Sequence, residues 1–426
     1  LRDRPSTTSA RAATGPRHDP SGQHKEPHMT VLTAIGTYLP PWGGPKGRVP
    51  GPDEDAVTLG VAAGRAALDG ASPTGVRAVV LVTRELPLLV GGNGAALLGG
   101  LGLPHDVPVT EQVGGAPAVA DAVLGAAPGT LVIGVDVPEG GLAGASAGLV
   151  GEHGVAVETV GRVVRSLPVE SRTPDGVSRD YADPRLSRER GLGGAVEALE
   201  LADKPLAVAG VPAKQAAALC AGAPVALPTV GASSLLFAVA ALEQGGVVLA
   251  AEQASATALR VESVLPVVRD EPTAQPVPRS STTPGPEIAI SLASYERAFE
   301  AKLRWEAAKC GSCGTLALPA RFRCLECGAE EGWSSAALPR TGEVYTVVTV
   351  HVPVPALPTP YSLAVVELDD VGVRALVKVT GAVAGSVGIG DRGRLVFRRV
   401  AVRTGIPDYA YALLPEPAAA TTEGSA

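Results

Sequence analysis

Four of the five cysteines in this chain lie between positions 310 and 327, as Cys310-Gly-Ser-Cys313 and Cys324-Leu-Glu-Cys327 separated by the ten residues GTLALPARFR. A single C-x-x-C reads as a redox disulfide. Two such pairs at this spacing form two tight knuckles whose sulfurs can face one point, and four thiolates close a tetrahedral shell with no vacancy for water. The predicted site is structural, and zinc is the expected metal. Cys₄ geometry alone also accommodates iron. Cys220, the remaining cysteine, follows AKQAAAL with no acid or histidine close in sequence, and reads as a small buried hydrophobe.

The elements that must hold this site have two different characters. Before residue 265 the chain alternates strand and helix signals. VLTAIGTYLP, RAVVLVTREL, VPVT and TLVIGVDVP read as strands, and DEDAVTLGVAAGRAALDG, GAALLGGLGLP and VGGAPAVADAVLGA as helices. In the first helix Asp53 is placed to cap the start and Gly70 to end it. Continuous apolar strands in a β/α succession imply a sheet covered on both faces. A shorter echo follows in KPLAVAGVP, AKQAAALCAG, GASSLLFAVAALEQG and GVVLAAEQAS. After residue 336, GEVYTVVTVHVPVP, YSLAVVELDD, VRALVKVTG and RGRLVFRRVAVR alternate at period two with short turns, which predicts a small antiparallel barrel.

Between them, residues 266–287 carry six prolines and read as a linker. Composition changes across it: ten of the 14 aromatic residues follow position 290, so two domains with different cores are expected. SYERAFEAKLRWEAAK spaces Tyr295, Phe299 and Leu303 four apart, predicting an amphipathic helix over 292–309 that packs on its own domain or, alternatively, on a partner subunit. The predicted organisation is a disordered arm over 1–28, an α/β domain over 29–265, a linker over 266–291, the helix, a ribbon over 310–335, a barrel over 336–416 and a disordered tail over 417–426.

The formal net charge of −7 narrows the partners. Residues 29–265 hold 15 basic and 23 acidic side chains, and residues 287–416 hold 14 of each. Neither part offers the basic surface that phosphate-backbone binding requires, which argues against nucleic acid. No uncharged apolar run is long enough to cross a bilayer, and LRDRPSTTSARAATGPRHDP has no apolar signal core. A cytoplasmic protein without membrane association is expected.

The run CGSCGTLALPARFRCLECG, followed by GEVYTVVTV, PYSLAVVELDD and IGDRGRLVF, resembles the zinc-ribbon and OB-fold family catalogued as domain of unknown function thirty-five, over roughly residues 292–416. The resemblance implies a rubredoxin-like zinc ribbon, an OB-fold barrel, and association with thiolase-superfamily enzymes acting on acyl-CoA thioesters. Residues 31–265 resemble the hydroxymethylglutaryl-CoA synthase and ketoacyl synthase III branch of that superfamily, through GTYLP, DEDAVTLGVAAGRAAL, RAVVLVT, TEQVGGAPAVADAV and LVIGVDV followed by GASAGLVGE. This implies an α/β thiolase-like layered fold, here with a shortened second half.

The family's catalytic groups are missing at the matching positions. Its nucleophilic cysteine precedes a Gly-Gly at the start of a buried helix, where the helix terminus lowers the thiol pKa; here Gln112 stands ahead of Val113-Gly114-Gly115. An amide forms no acyl-enzyme. The family's histidine matches Gly210, and its Asn-Gly element matches Val230-Gly231. Glu85, with Arg84 as the competing alignment, falls within one residue of the general acid.

The resemblances imply a non-catalytic thiolase-fold and OB-fold subunit of an acyl-CoA acyltransferase complex. Its partner would be a catalytic thiolase in a hetero-oligomer, or a second copy through the thiolase-like domain, with a CoA thioester as ligand. The alternatives are an autonomous acyl-CoA enzyme, acyltransferase or decarboxylase, using Gln112 or Glu85, and a nucleic-acid-binding zinc-ribbon protein.

Overall fold

The computed structural model describes residues 29–44, 47–70, 75–165, 170–173, 177–180, 183–253, 255–286, 292–355 and 357–416. The arm over 1–28 and the tail over 417–426 lie outside them.

The first half of the α/β part has strands β1 (Met29–Tyr38), β2 (Ala78–Thr83), β3 (Val109–Val113), β4 (Thr130–Asp136) and β5 (Gly144–Val150). Between them run helices α1 (Ala56–Asp69), α2 (Gly94–Leu101) and α3 (Ala116–Gly125). The sheet order is β3-β2-β4-β5-β1, and β5 alone runs antiparallel to its neighbours. β4 and β5 are buried at every position, as strands covered on both faces must be. Close approach of α1 to β1 depends on Gly36: a Cβ there would lie 2.1 Å from the Ala67 nitrogen.

The second half repeats this order with one strand missing. β6 (Val155–Val164), β7 (Ala207–Ala209), β8 (Gly246–Ala251) and β9 (Ser255–Val261) are arranged β7-β8-β9-β6, again with the fourth of them antiparallel to its neighbours. After β7 come α4 (Ala213–Leu219) and α5 (Ser234–Ala240), with no strand between them among the described residues. This is the shortened half expected from sequence. β6 pairs antiparallel with β1, so the two halves share one sheet, and α3 and α5 pack together in a core that contains Ala116, Val119, Leu235 and Leu236.

Asp55, and not Asp53, caps α1: its carboxylate accepts from the Val57 and Thr58 amides while the Thr58 hydroxyl accepts from the Asp55 amide, completing a capping box. Gly70 ends the helix as expected. Cys220 follows α4 and is buried against Val208 and Leu249, and burial raises its thiol pKa.

The proline-rich segment does not stand apart from the domains. β10 (Val267–Asp270) adds to β1 in parallel over Ile35–Tyr38, and β11 (Ser281–Thr282) pairs with a barrel segment at 358–359. Gln275 links both sides, bonding Pro41 and Gly43 through its backbone and Gly381 through its side chain. No proline lies within β10 or β11, so the segment's hydrogen-bonding capacity is concentrated there.

Helix α6 (Leu292–Arg304) ends earlier than the expected 309, because Trp305 takes a left-handed φ of 59° and redirects the chain into β12 (Glu306–Cys310). The ribbon sheet is β13 (Leu316–Ala317), β12 and β14 (Trp333–Ala337). The barrel comprises β15 (Thr341–Val350), β16 (Pro358–Thr359), β17 (Tyr361–Leu368), β18 (Arg374–Lys378), β19 (Arg392–Arg403) and β20 (Ile406–Pro415), with five strands ordered β18-β17-β15-β19-β20. No helix among the described residues is long and apolar enough to cross a membrane.

The expectation of separate cores is wrong. One apolar cluster contains Tyr38, Leu59, Leu97 and Leu101 of the first domain together with Leu303, Trp305, Phe397 and Tyr411 of the module. α6 packs on α2 and β20, within this chain, where a Cβ on Gly99 would lie 3.1 Å from that of Leu303. The seam also holds a polar network. Arg398 on β19 donates 2.8 Å to the Tyr38 hydroxyl and lies 3.1 Å from the Glu54 carboxylate, and Tyr38 donates to Glu54. All three are buried. Burial raises the Glu54 pKa, opposed chiefly by Arg398. For Arg398 burial acts to lower the pKa, and its interactions with the Tyr38 oxygen and the Glu54 carboxylate outweigh it, so the guanidinium stays charged. Tyr409 donates to the Asp55 capping carboxylate at 2.9 Å, so the cap itself is part of the seam.

Candidate metal centre and the pocket at the two central helix starts

The ribbon brings the four predicted cysteines together. Cys310 Sγ lies 3.7 Å from Cys327 Sγ and Cys313 Sγ 3.5 Å from Cys324 Sγ, and all four sulfurs fall within 4.8 Å of one another. A tetrahedron with bonds of about 2.3 Å has sulfur–sulfur edges of about 3.8 Å, so the cluster fits a metal ion of that kind. The two knuckles are built alike. The Gly314 amide donates to the Cys310 carbonyl and the Gly328 amide to the Cys324 carbonyl, and each glycine has a left-handed φ, 78° and 76°, that a side chain would strain. Cys310 and Cys324 are buried and their partners exposed. The Thr315 hydroxyl and amide lower the Cys313 pKa to about 6, and the Cys313 and Ser312 amides lower that of Cys310. Thiolate, the ligating form, is favoured at both.

The second region lies where α3 and α5 begin. Gln112, at the end of β3, is half-buried; Gly115 caps α3, followed by Ala116. Gly210 sits against α3: a Cβ on it would lie 3.0 Å from that of Ala116 and 2.2 Å from the Ala251 carbonyl. Its amide donates to Ser234 Oγ, which in turn donates to the Gly231 carbonyl. The positions of Gly115, Gly210 and Gly231 therefore converge, and none of the three carries a side chain.

The space they leave is filled by charged groups, of which sequence reasoning named Arg84 but not Glu252 or Asp136. Arg84, after β2, and Glu252, after β8, form a 2.5 Å ion pair across the start of α3, and a Cβ on Gly115 would lie 1.7 Å from the Glu252 carboxylate. Burial raises the Glu252 pKa, and Arg84 opposes this. Asp136, at the end of β4, is buried and accepts from the Ala232 amide, the Ser233 amide and the Ser233 hydroxyl at 2.7, 3.0 and 2.6 Å. A Cβ on Gly231 would lie 1.9 Å from it. Burial raises the Asp136 pKa against those three bonds. Glu85 forms a 2.8 Å pair with Arg172, and its charge also acts on Asp136. One signal was available: Asp136 and Glu252 each follow an unbroken apolar strand, a position in which a carboxylate is held at the sheet's end.

These features define a layered α/β domain joined to a ribbon whose four cysteines could hold a metal ion and to an OB-fold barrel. Residues 336–398 match the family model described as the ChsH2 C-terminal OB-fold domain. A "probable enoyl-CoA hydratase alpha subunit" of Thermomonospora curvata is 35% identical over 83 residues, 19% of this chain and 25% of the relative; the chain thus matches a quarter of that relative's length. Among solved structures, the "Ltp2-ChsH2(DUF35) aldolase" is 27% identical, with 31% of this chain and 98% of that chain covered and a TM-score of 0.25. The 3-oxoacyl-(acyl carrier protein) synthase III of Pseudomonas aeruginosa is 17% identical over 56% of this chain and 99% of its own, at a TM-score of 0.44. For PksG, a hydroxymethylglutaryl-CoA synthase of Bacillus subtilis, the figures are 13%, 55%, 79% and 0.41.

Proposed function

We propose that the chain is a non-catalytic, thiolase-fold subunit of an acyl-CoA acyltransferase complex, in which acyl transfer or carbon–carbon bond formation or cleavage takes place on a partner thiolase. The observation that carries this reading is the convergence of Gly115, Gly210 and Gly231 beneath the Arg84–Glu252 ion pair. Acyl transfer of this type needs a nucleophile, a base and an oxyanion donor around one carbon. Here Gln112 stands at the nucleophile's position, Gly210 at the base's and Val230-Gly231 at the Asn-Gly element, so the thiol, the imidazole and the asparagine amide are all missing. The autonomous reading is weakened further because Glu85 is held by Arg172.

The name of the curated relative, an enoyl-CoA hydratase subunit, supports an acyl-CoA substrate and a multi-subunit setting. Cys310, Cys313, Cys324 and Cys327 would hold zinc. With four thiolates bound, the metal supplies structure only. The seam network then fixes the barrel rigidly against the thiolase-like domain, so that both surfaces reach a partner in one orientation. The partner would be a cysteine-bearing thiolase, with a CoA thioester bound between the subunits.

Co-expression with a thiolase encoded beside this chain is expected to yield a complex active in acyl transfer. Gln112→Ala in that complex should change turnover little. A loss of about a hundredfold, the size expected for removing a hydrogen bond to a developing oxyanion, would return catalysis to this chain. Full activity of the thiolase alone, with the complex shown to form, would also contradict the proposal.

A further inference from the structure

A cleft of about 460 Å³ lies where three segments meet: residues 42–53 of the first domain, residues 277–282 of the proline-rich segment, and barrel strands β17 to β19. Its volume falls in the range of small-molecule sites, and its walls are largely apolar, with Trp42, Pro50, Pro278, Pro360 and Val402 among them. None of these residues belongs to the metal cluster or to the region around Gly115.

The polar groups of the cleft are unbalanced. Lys378 lines it and is half-buried, with its ammonium donating 2.6 Å to the Val400 carbonyl and lying 5.4 Å from the Tyr361 ring centroid. Among the described residues no carboxylate forms an ion pair with it; burial lowers its pKa, and the Asp53 and Asp408 carboxylates oppose this from a greater distance. Arg399 also lines the cleft, donating to the Pro52 carbonyl and lying 3.8 Å from the Asp55 carboxylate, and Arg279 is exposed at its edge. Asp53 is the single acidic lining residue. Arg399 is thus partnered by Asp55, and Lys378 and Arg279 share the cleft with Asp53.

We propose that this cleft is a binding site for a phosphate ester of a flat apolar molecule, its phosphate held by Lys378 and Arg279 and its body lying between Trp42 and the proline walls. Cations from separate segments suit an anion with several outward oxygens, and the apolar walls favour a ligand larger than phosphate itself. The site is independent of the proposed role beside a thiolase and would stand if that role failed.

The probe is 1-naphthyl phosphate, titrated calorimetrically into the full chain, with inorganic phosphate and 1-naphthol as the two halves of the ligand. Saturable one-to-one binding of the ester is expected. Each half should bind at least about tenfold more weakly, and Lys378→Met should weaken the ester by about tenfold or more, the size of a charge-assisted hydrogen bond. Arg279→Ala, at an exposed position where the fold is not at stake, should weaken it by about threefold or more. No binding at millimolar ester, binding of naphthol as tight as that of the ester, or ester binding unchanged in Arg279→Ala would each overturn the proposal.

Discussion

Replacing Arg398 with methionine is expected to destabilise the folded chain by about 3–5 kcal/mol, the cost of leaving a buried carboxylate without its partner. Methionine fills much of the same space, so the loss is chiefly electrostatic. Glu54 would remain buried, bonded to Tyr38 and to the Gly51 amide, with no cation to offset its desolvation. Because Tyr38 and Glu54 belong to the first domain and Arg398 to the barrel, the damage should appear in both. Urea unfolding followed by tryptophan fluorescence can read this, since Trp42 and Trp305 lie on opposite sides of the seam and both are buried. The native chain should unfold in one transition, and adding Glu54→Gln should recover much of the loss. A change under about 1 kcal/mol would mean that the network contributes no more than a surface pair.

Loss of the ribbon metal is expected to have an effect at least as large. Protein purified without chelator should carry close to one zinc per chain. Structural zinc sites of this class contribute on the order of 10 kcal/mol or more to folding of their module. Cys310→Ser should abolish metal binding and unravel residues 310–335. From sequence, a proline-rich linker would confine that damage to the module. The structure predicts otherwise, because β12 ends at Cys310 and begins at Glu306, directly after Trp305, which with Leu303 enters the shared core. The first domain should therefore lose stability as well. Elemental analysis giving less than about half an equivalent of any transition metal would contradict the assignment.

What was legible in the sequence is what depends on local spacing. The cysteine pairs, the apolar strands β1, β2, β4 and β8, and the alternating barrel strands were all readable, because knuckle, burial and pleat each impose a short period. The truncated second half was also visible, as missing length. The shared core was not. A shift in aromatic content marks two kinds of packing, but it does not say whether Trp305 and Tyr411 face their own barrel or Leu97 and Leu101 of another domain. The linker misled for a related reason: prolines rule out a central strand, yet the run Val267–Asp270 between them was free to pair with β1. Asp53 and Asp55 precede the same apolar run, and the Thr58 partner that marks Asp55 as the cap is what a reading from Asp53 misses. The Arg84–Glu252 pair joins residues 168 positions apart, and no periodicity reports such a contact.

The most direct test of a non-catalytic role is intact-mass spectrometry on the reconstituted complex after incubation with acetyl-CoA or acetoacetyl-CoA. The account predicts an acyl adduct on the partner thiolase and none on this chain, whose matching position is Gln112 and whose Cys220 is buried with its thiol pKa raised by burial. A stoichiometric adduct on this chain, mapped to Cys220, would contradict it.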